Sequence, residues 1–277
     1  MRVDMKFTKL PNGFLCYYQH WFPENPKALI IMVHGLGDHI GRYNEFVSFL
    51  SLKGYACAAF DQRGHGLSEG RRGHIVSIEK LLDDLGFFYD FTIKSLGKDI
   101  PVFLLGGSLG GLVVLNFAVK GGKDLRGVVA ACPAIKSLVP IPNWQKKIAR
   151  VVAKVAPPVT VFNKLEFTQL SRDRDEIEAI EKDILFHRRI SVGSAIDIDN
   201  NLRTVMTLAG RIYCPVIVLS GSKDSICDPR ASKDFVERLA SSDKKYLLYE
   251  GMFHDILHDV GRKKVMEDVE LWFRERI

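Results

Sequence analysis

Three side chains in this 277-residue sequence are of the types that let a hydroxyl attack a carbonyl. Ser108 stands in Gly106-Gly107-Ser108-Leu109-Gly110, Asp224 in Ser222-Lys223-Asp224-Ser225, and His254 in Gly251-Met252-Phe253-His254. A serine hydroxyl is a weak nucleophile at its own pKa, so it needs an imidazole to take its proton and a carboxylate to hold that imidazole in one tautomer. The chain order Ser, Asp, His is the one an α/β-hydrolase sheet presents. Rivals lie close by: His258, Asp228, Asp255 and Asp259. His258 is expected inside the last helix, and Asp228, just before Pro229, is expected to cap a helix over 230–239. Ser108, Asp224 and His254 are therefore the catalytic candidates.

Each candidate follows an apolar run of strand character: 102–105 before Ser108, 215–221 before Asp224, and 246–249 on the way to His254. The glycines around Ser108 permit a sharp reversal into the apolar helix-like run 112–118, which lifts the hydroxyl clear of the sheet. All three then crowd the carboxyl rim of a sheet, where ligands sit in open α/β folds. His34-Gly35-Leu36-Gly37 reaches the same rim after the run 28–33, so the backbone amides of Leu36 and Leu109 are the candidate oxyanion-hole donors. His34 is expected to hold its loop through ring hydrogen bonds rather than to act as an acid or a metal ligand. Asp61 and Arg63 are expected to brace the glycine-rich loop after 56–60. Anion binding stays open for them and for Arg71-Arg72-Gly73-His74.

The runs at 28–33, 43–53, 55–60, 78–94, 101–105 and 109–120 alternate strand-like and helical patterns, which indicates an α/β fold with a mostly parallel central sheet flanked by helices. Residues 14–20 add an antiparallel edge. The alternation breaks between Cys132 and Leu208, too long a gap for a plain crossover. The expected organisation is a hydrolase core in residues 1–132 and 208–277, with a helical cap over the active site in 133–207. In that segment Trp144, Ile148, Val151, Val152 and Val155 share one helical face, and Lys146, Lys147, Arg150 and Lys154 the other. Such a helix lids an acyl pocket with its charges in water, the preferred reading, or lies at an anionic lipid interface. Transient membrane contact suits both. The mixed-charge run 172–183 reads as a solvated helix face.

Lysine and arginine number 39 against 33 acidic residues, a net charge of +6, which favours anionic surfaces without naming one. Without zinc-finger spacing or a helix-turn-helix cue, nucleic acid is not expected as a partner. Five cysteines at 16, 57, 132, 214 and 227 lack paired spacing and read as reduced core residues. No signal-like segment or 18-residue apolar span is evident, so a cytoplasmic protein is the expectation, with peripheral membrane association left open. No heptad or other self-pairing pattern decides between monomer and dimer.

His34-Gly35-Leu36-Gly37-Asp38-His39-Ile40-Gly41-Arg42-Tyr43, the stretch from Phe60-Asp61-Gln62-Arg63-Gly64-His65-Gly66 to Gly70, and Gly106-Gly107-Ser108-Leu109-Gly110-Gly111 resemble monoacylglycerol lipases and the related lysophospholipases. The resemblance extends to Leu219-Ser220-Gly221-Ser222-Lys223-Asp224 and Gly251-Met252-Phe253-His254-Asp255. It implies an α/β-hydrolase fold with Ser108, Asp224 and His254 as triad, Leu36 and Leu109 amides as oxyanion hole, and no cofactor or metal. The implied reaction is cleavage of a monoacylglycerol to glycerol and fatty acid through an acyl-enzyme on Ser108. Lysophospholipid hydrolysis, or general carboxylesterase action on short to medium acyl esters, is the alternative. A carboxylate-nucleophile dehalogenase or epoxide hydrolase fits Ser108 poorly, and a non-catalytic protein has no need of the three positions. Gly107 and Leu109 depart from the family's common histidine and methionine, changes to the pocket wall that remove no catalytic atom.

Overall fold

Runs of consecutive apolar residues with no polar face can be buried only from both sides, and here they form the middle of one sheet. The computed structural model describes residues 2–120 and 125–277. In chain order the elements are β1 (Arg2–Lys9), β2 (Leu15–Phe22), β3 (Leu29–Val33), α1 (Asn44–Leu52), β4 (Ala56–Phe60), α2 (Ile78–Leu96), β5 (Val102–Gly107), α3 (Leu109–Val119) and β6 (Leu125–Ala131). They continue as α4 (Asn143–Val155), β7 (Thr160–Phe162), α5 (Arg174–Lys182), β8 (Arg189–Ser191), α6 (Val192–Leu208), β9 (Val216–Gly221), α7 (Pro229–Arg238), β10 (Lys244–Tyr249) and α8 (Arg262–Arg274).

Eight strands form the sheet, in the order β1-β2-β4-β3-β5-β6-β9-β10. From β4 to β10 all neighbours are parallel, whereas β2 is antiparallel to both β1 and β4. The sheet is thus mostly parallel and helix-flanked, as the alternating runs indicate. One difference lies at the edge: residues 15–20 fall in β2, the second strand, and β1 is the outermost. Polar residues alternate along β1 and both its faces are largely exposed, so it carries little of the apolar signal that marks the inner strands.

Each face of the sheet has its own core. On one, Leu104, Leu112 and Phe88 pack with α2, α3 and α7; on the other, Phe103, Leu105, Trp272 and Phe273 pack with α1 and α8. Leu109 through Ala118 of α3 are all buried, which is why that helix shows no polar stripe. Ser77 caps α2 by accepting from the Lys80 N–H at 3.1 Å, and Asp228 caps α7 by accepting from the Arg230 N–H at 3.0 Å, with Pro229 in the first turn. His258 lies in the loop before α8, not inside the helix, because α8 starts only at Arg262 after the left-handed Gly261.

The segment between β6 and β9 carries α4, α5, α6 and the small antiparallel pair β7–β8, none of whose strands joins the main sheet. Its amphipathic helix α4 lies against α6 with its apolar stripe outward: Trp144 is 62%, Ile148 55%, Val151 65% and Val155 79% exposed. The expected orientation, apolar side down on a pocket, is therefore not found. The half-buried side of α4 is formed by Gln145, Lys146, Ala149, Val152 and Ala153, with the Lys146 ammonium meeting Asp199 of α6 at 3.7 Å.

Candidate active site

At the carboxyl end of β5 the chain reverses within one residue. Ser108 takes φ +52° and ψ −115°, a conformation costing a non-glycine residue about 1–3 kcal/mol. Three backbone hydrogen bonds hold it there: the Ser108 N–H donates to the Ala131 carbonyl at 2.9 Å, and the Ser108 carbonyl accepts from Leu112 N–H at 3.1 Å and Ala134 N–H at 3.0 Å. The turn also requires backbone to pass where side chains would stand. A Cβ on Gly106 would lie 2.2 Å from the Gly110 carbonyl oxygen, and one on Gly110 would lie 2.0 Å from that of Val33.

The structure brings the three sequence candidates into one hydrogen-bonded chain. His254 Nε2 is 2.9 Å from Ser108 Oγ, and His254 Nδ1 is 2.8 Å from Asp224 Oδ2. With Asp224 accepting, Nδ1 carries the proton and Nε2 is left to accept from the serine. The second Asp224 oxygen accepts from the N–H groups of Ile226 at 2.8 Å and Cys227 at 2.9 Å, so the carboxylate cannot rotate away. His254 and Asp224 are both buried. Burial pulls the imidazolium of His254 downward, but the charge and hydrogen bond of Asp224, with a further contribution from Asp255, outweigh it and leave His254 above its ordinary value.

Leu36 lies in the loop after β3 and Leu109 at the first position of α3, directly after Ser108. Among the described residues neither N–H donates to another protein group. The loop bearing Leu36 is fixed by His34, whose Nδ1–H donates to the Gly35 carbonyl at 2.8 Å while Nε2 accepts from the Gln62 N–H at 2.9 Å. That is the bracing role expected of His34. Asp61 braces the same rim, accepting from Ile40 N–H at 2.9 Å and Leu67 N–H at 2.8 Å. Arg63 turns instead to the buried Asp84, at 2.6 and 2.8 Å. In the basic patch, His74 Nδ1 meets Ser191 Oγ at 2.8 Å, which ties that stretch to β8.

The rival residues are engaged elsewhere. Both ring nitrogens of His258 face acceptors, Asp255 Oδ1 at 2.8 Å and the Arg42 carbonyl at 2.9 Å. Two acceptors demand two protons, and despite burial the Asp255 carboxylate holds His258 above its ordinary value. A histidine kept protonated is no base. Asp255 also receives Arg42 Nη2 at 2.8 Å, while Asp259 accepts from Phe253 N–H at 2.8 Å and pairs with Arg172 at 3.0 Å, bracing the His254 loop.

This seam was missed in the sequence. The run 172–183 is not merely a solvated face: Arg172 meets Asp259, Asp173 meets Arg262 at 2.8 Å, and Asp183 meets His39 Nε2 at 2.7 Å. Residues 38–43 therefore connect Leu36 to the inserted segment, as does the His187 N–H, which donates to the Gly37 carbonyl at 2.9 Å. Spacing alone gives no sign of it, since each pair joins residues more than 80 positions apart.

Cys132, Asp224 and His254 present ligand atoms within 4.8 Å of one another. The donors do not suit a metal ion: both histidine nitrogens and both Asp224 oxygens are already hydrogen-bonded, and burial, with Asp224 adding to it, pushes the Cys132 thiol well above its ordinary value, away from thiolate. The five cysteines are free thiols.

Ser108 and His254 open into a cavity of about 800 Å³. Its wall mixes aliphatic and aromatic residues such as Leu36, Ile135, Leu170, Phe186, Ile198 and Met206 with polar and charged ones, among them Asp38, Arg42, Tyr43, Lys136, Lys146, Asp199, Arg203 and Asp234, and it draws in residues of the inserted segment. Among the described residues no helix is long and apolar enough to cross a membrane.

The family described as serine aminopeptidase, S33, matches residues 24–261. A monoglyceride lipase homolog of Monkeypox virus is 30% identical, over 97% of this chain and 97% of its own. An uncharacterized abhydrolase domain-containing protein of Dictyostelium discoideum is 31% identical over 93% of this chain, which spans only 27% of that longer relative. The crystal structure of Paleococcus ferrophilus monoacylglycerol lipase superimposes with a TM-score of 0.86 at 31% identity, covering 95% of this chain and 99% of that one. With its eight-stranded sheet and a serine at the β5–α3 reversal, this chain belongs to the serine aminopeptidase S33 family of α/β-hydrolases and is related to the monoacylglycerol lipases.

Proposed function

We propose that the protein is a serine esterase that cleaves monoacylglycerols to glycerol and free fatty acid. The observation that carries this reading is the Ser108–His254–Asp224 chain opening into a cavity that is apolar along most of its wall, with polar and charged residues interspersed. His254 takes the Ser108 proton as Oγ attacks the ester carbonyl, Asp224 steadies the imidazolium, and the Leu36 and Leu109 amides receive the oxyanion. The proton then passes to the departing alcohol, and the same histidine activates the water that frees the fatty acid. The apolar residues of the wall suit an acyl chain, and its polar ones suit a hydroxylated leaving group.

Residues 133–207 act in this reading as a cap. Its outward stripe on α4, flanked by Lys147, Arg150 and Lys154, suits transient docking on an anionic lipid surface, from which an amphiphilic substrate enters.

The test compares wild type with Ser108→Ala on monoacylglycerols, lysophospholipids and p-nitrophenyl esters of graded chain length. Turnover strongest on medium or long monoacylglycerols and reduced about 10⁴-fold or more in the variant is expected. Preference for lysophospholipids or short esters moves the assignment to those classes, and turnover independent of Ser108 rejects the mechanism.

A further inference from the structure

The two edges of the main sheet differ in what they offer a further strand. β1 closes one edge and β10 the other, and among the described residues no backbone group of Arg2–Lys9 hydrogen-bonds beyond β2. An open row of N–H and C=O groups is a template for another strand. β10, Lys-Lys-Tyr-Leu-Leu-Tyr, has no carboxylate of its own, so no ion pair along it can fix a partner's register. β1 carries both signs of charge.

The register of β1 on β2 assigns its side chains to faces. Val3, Met5 and Phe7 stand on one face beside Trp21, Gln19 and Tyr17, and they are 40%, 54% and 54% exposed. Arg2, Asp4, Lys6 and Thr8 stand on the other, with Asp4 2.9 Å from Arg2 and 3.9 Å from Lys6. A lysine on an edge strand usually blunts pairing. Here the residue two positions before it has the opposite sign, so the strand repels a copy of itself in some registers and matches it in one.

In an antiparallel pair related by a two-fold axis, directly opposite residues share a face of the sheet. Centred on Met5, residues 2–8 pair throughout: Asp4 faces Lys6 of the second copy, Lys6 faces its Asp4, Val3 faces its Phe7, and Met5 faces itself. Centred on Asp4 or Lys6, like charges stand directly opposite, which destabilises a pair. Centred on Val3 or Phe7, only residues 2–4 or 5–9 of the strand can pair. A slip by one residue sets the charged face against the apolar one.

We propose that β1 is a homodimerisation edge, to which a second copy of this chain adds its own β1 antiparallel and centred on Met5, joining two eight-stranded sheets into one. A second copy is the occupant because the charge order along β1 complements itself under a two-fold axis, and the row of Val3, Met5 and Phe7 continues across the join. The axis stands perpendicular to the sheet and reverses every strand. The rims bearing Ser108 then lie at opposite ends of the joined sheet, and no residue of β1 lines the cavity beside it.

The experiment is sedimentation velocity from micromolar to submillimolar protein. The samples are wild type, Asp4→Lys, Lys6→Asp, the chain carrying both substitutions, and an equimolar mixture of the two single variants, with Tm and turnover of a short soluble ester recorded for each. Wild type should sediment as a dimer at high concentration. Each single variant sets like charges opposite one another on both sides of Met5 and should weaken self-association about ten-fold or more. The doubly substituted chain restores opposed signs and should dimerise as wild type does. The mixture should dimerise too, since positions 4 and 6 are both basic in one variant and both acidic in the other. Wild type that stays monomeric throughout overturns the proposal. So does a dimer that both single variants leave intact, which places the contact elsewhere on the molecule. Single variants that weaken association with no rescue in the doubly substituted chain or the mixture overturn the Met5-centred register and with it the two-fold pairing. Turnover per chain should be equal in all samples, so the esterase reading stands or falls separately.

Discussion

The strand ends that carry Ser108, Asp224 and His254 differ from the inserted helix α4 in what fixes them. Ser108 is held by three backbone hydrogen bonds and by glycines that touch neighbouring backbone, and Asp224 by two amides besides His254. Helix α4 has no buried residue, and its partners are the half-exposed faces of α6 and an ion pair to Asp199. A position determined by backbone leaves side chains little choice, so its chemistry can be read from spacing. A position determined by weak side-chain contacts cannot be read from spacing, because periodicity marks the apolar face and not what covers it.

The sharpest way to break that contrast is to make one small aliphatic change in each region. Gly110→Ala puts a Cβ 2.0 Å from the Val33 carbonyl and 2.6 Å from that of His34, neither of which can yield without moving β3. Thermal unfolding should show a loss of about 3 kcal/mol or more, at or beyond the upper end of overpacking costs. Val155→Ala, at a 79% exposed site on α4, should stay within about 0.5 kcal/mol of wild type. Comparable losses at the two sites would dissolve the distinction.

Function should reverse the ranking of sensitivity to surface chemistry. Trp144→Gln, Ile148→Gln and Val151→Gln together remove an exposed apolar stripe without touching the sheet. Each such side chain, fully inserted, contributes about 1.5–3 kcal/mol to leaving water. The triple variant should therefore lose about ten-fold or more in activity on substrate presented in anionic vesicles, with co-flotation falling in parallel. Hydrolysis of a water-soluble short ester should be unchanged. A matched loss on the soluble ester would mean that the stripe supports the site itself rather than a surface contact.

The same contrast explains how far the sequence could be read. The apolar runs at 28–33, 56–60 and 102–105 have no polar face, so burial on both sides and a parallel sheet follow directly. Ser108, Asp224 and His254 each stand just past such a run, and strand ends converge in a fold of this class. The orientation of α4 could not be read that way: hydrophobic periodicity identifies a face but not its occupant, and here the cavity side receives Lys146 rather than Trp144. The seam is equally hidden. Arg42 meets Asp255 across 213 residues and Arg172 meets Asp259 across 87, pairings that only the folded chain creates. The expectation that His258 lies inside the helix fails at Gly261, whose left-handed φ of +96° delays the helix start to Arg262.

That seam gives the smallest and most discriminating effect. Asp255 neighbours His254 in sequence, pairs with Arg42 and His258, and is one of the charges that raise His254. As a base His254 works only when neutral, so the acid limb of kcat/KM should lie above the ordinary imidazole value and move down in Asp255→Asn, where one of those charges is gone. Stability runs with a different sign. Despite burial, His258 and Arg42 hold the Asp255 carboxyl far below the usual carboxylate range, so its contribution is fully present above about pH 4, its value in the unfolded chain, and is lost only as pH falls through the depressed folded value. The asparagine variant should thus melt below wild type at neutral pH, with the gap narrowing in strong acid as wild-type Asp255 itself becomes neutral. An acid limb that stays in place while Tm falls would assign Asp255 to joining the Arg42 and His258 loops alone. Movement of both would tie the base of the core site electrostatically to the seam.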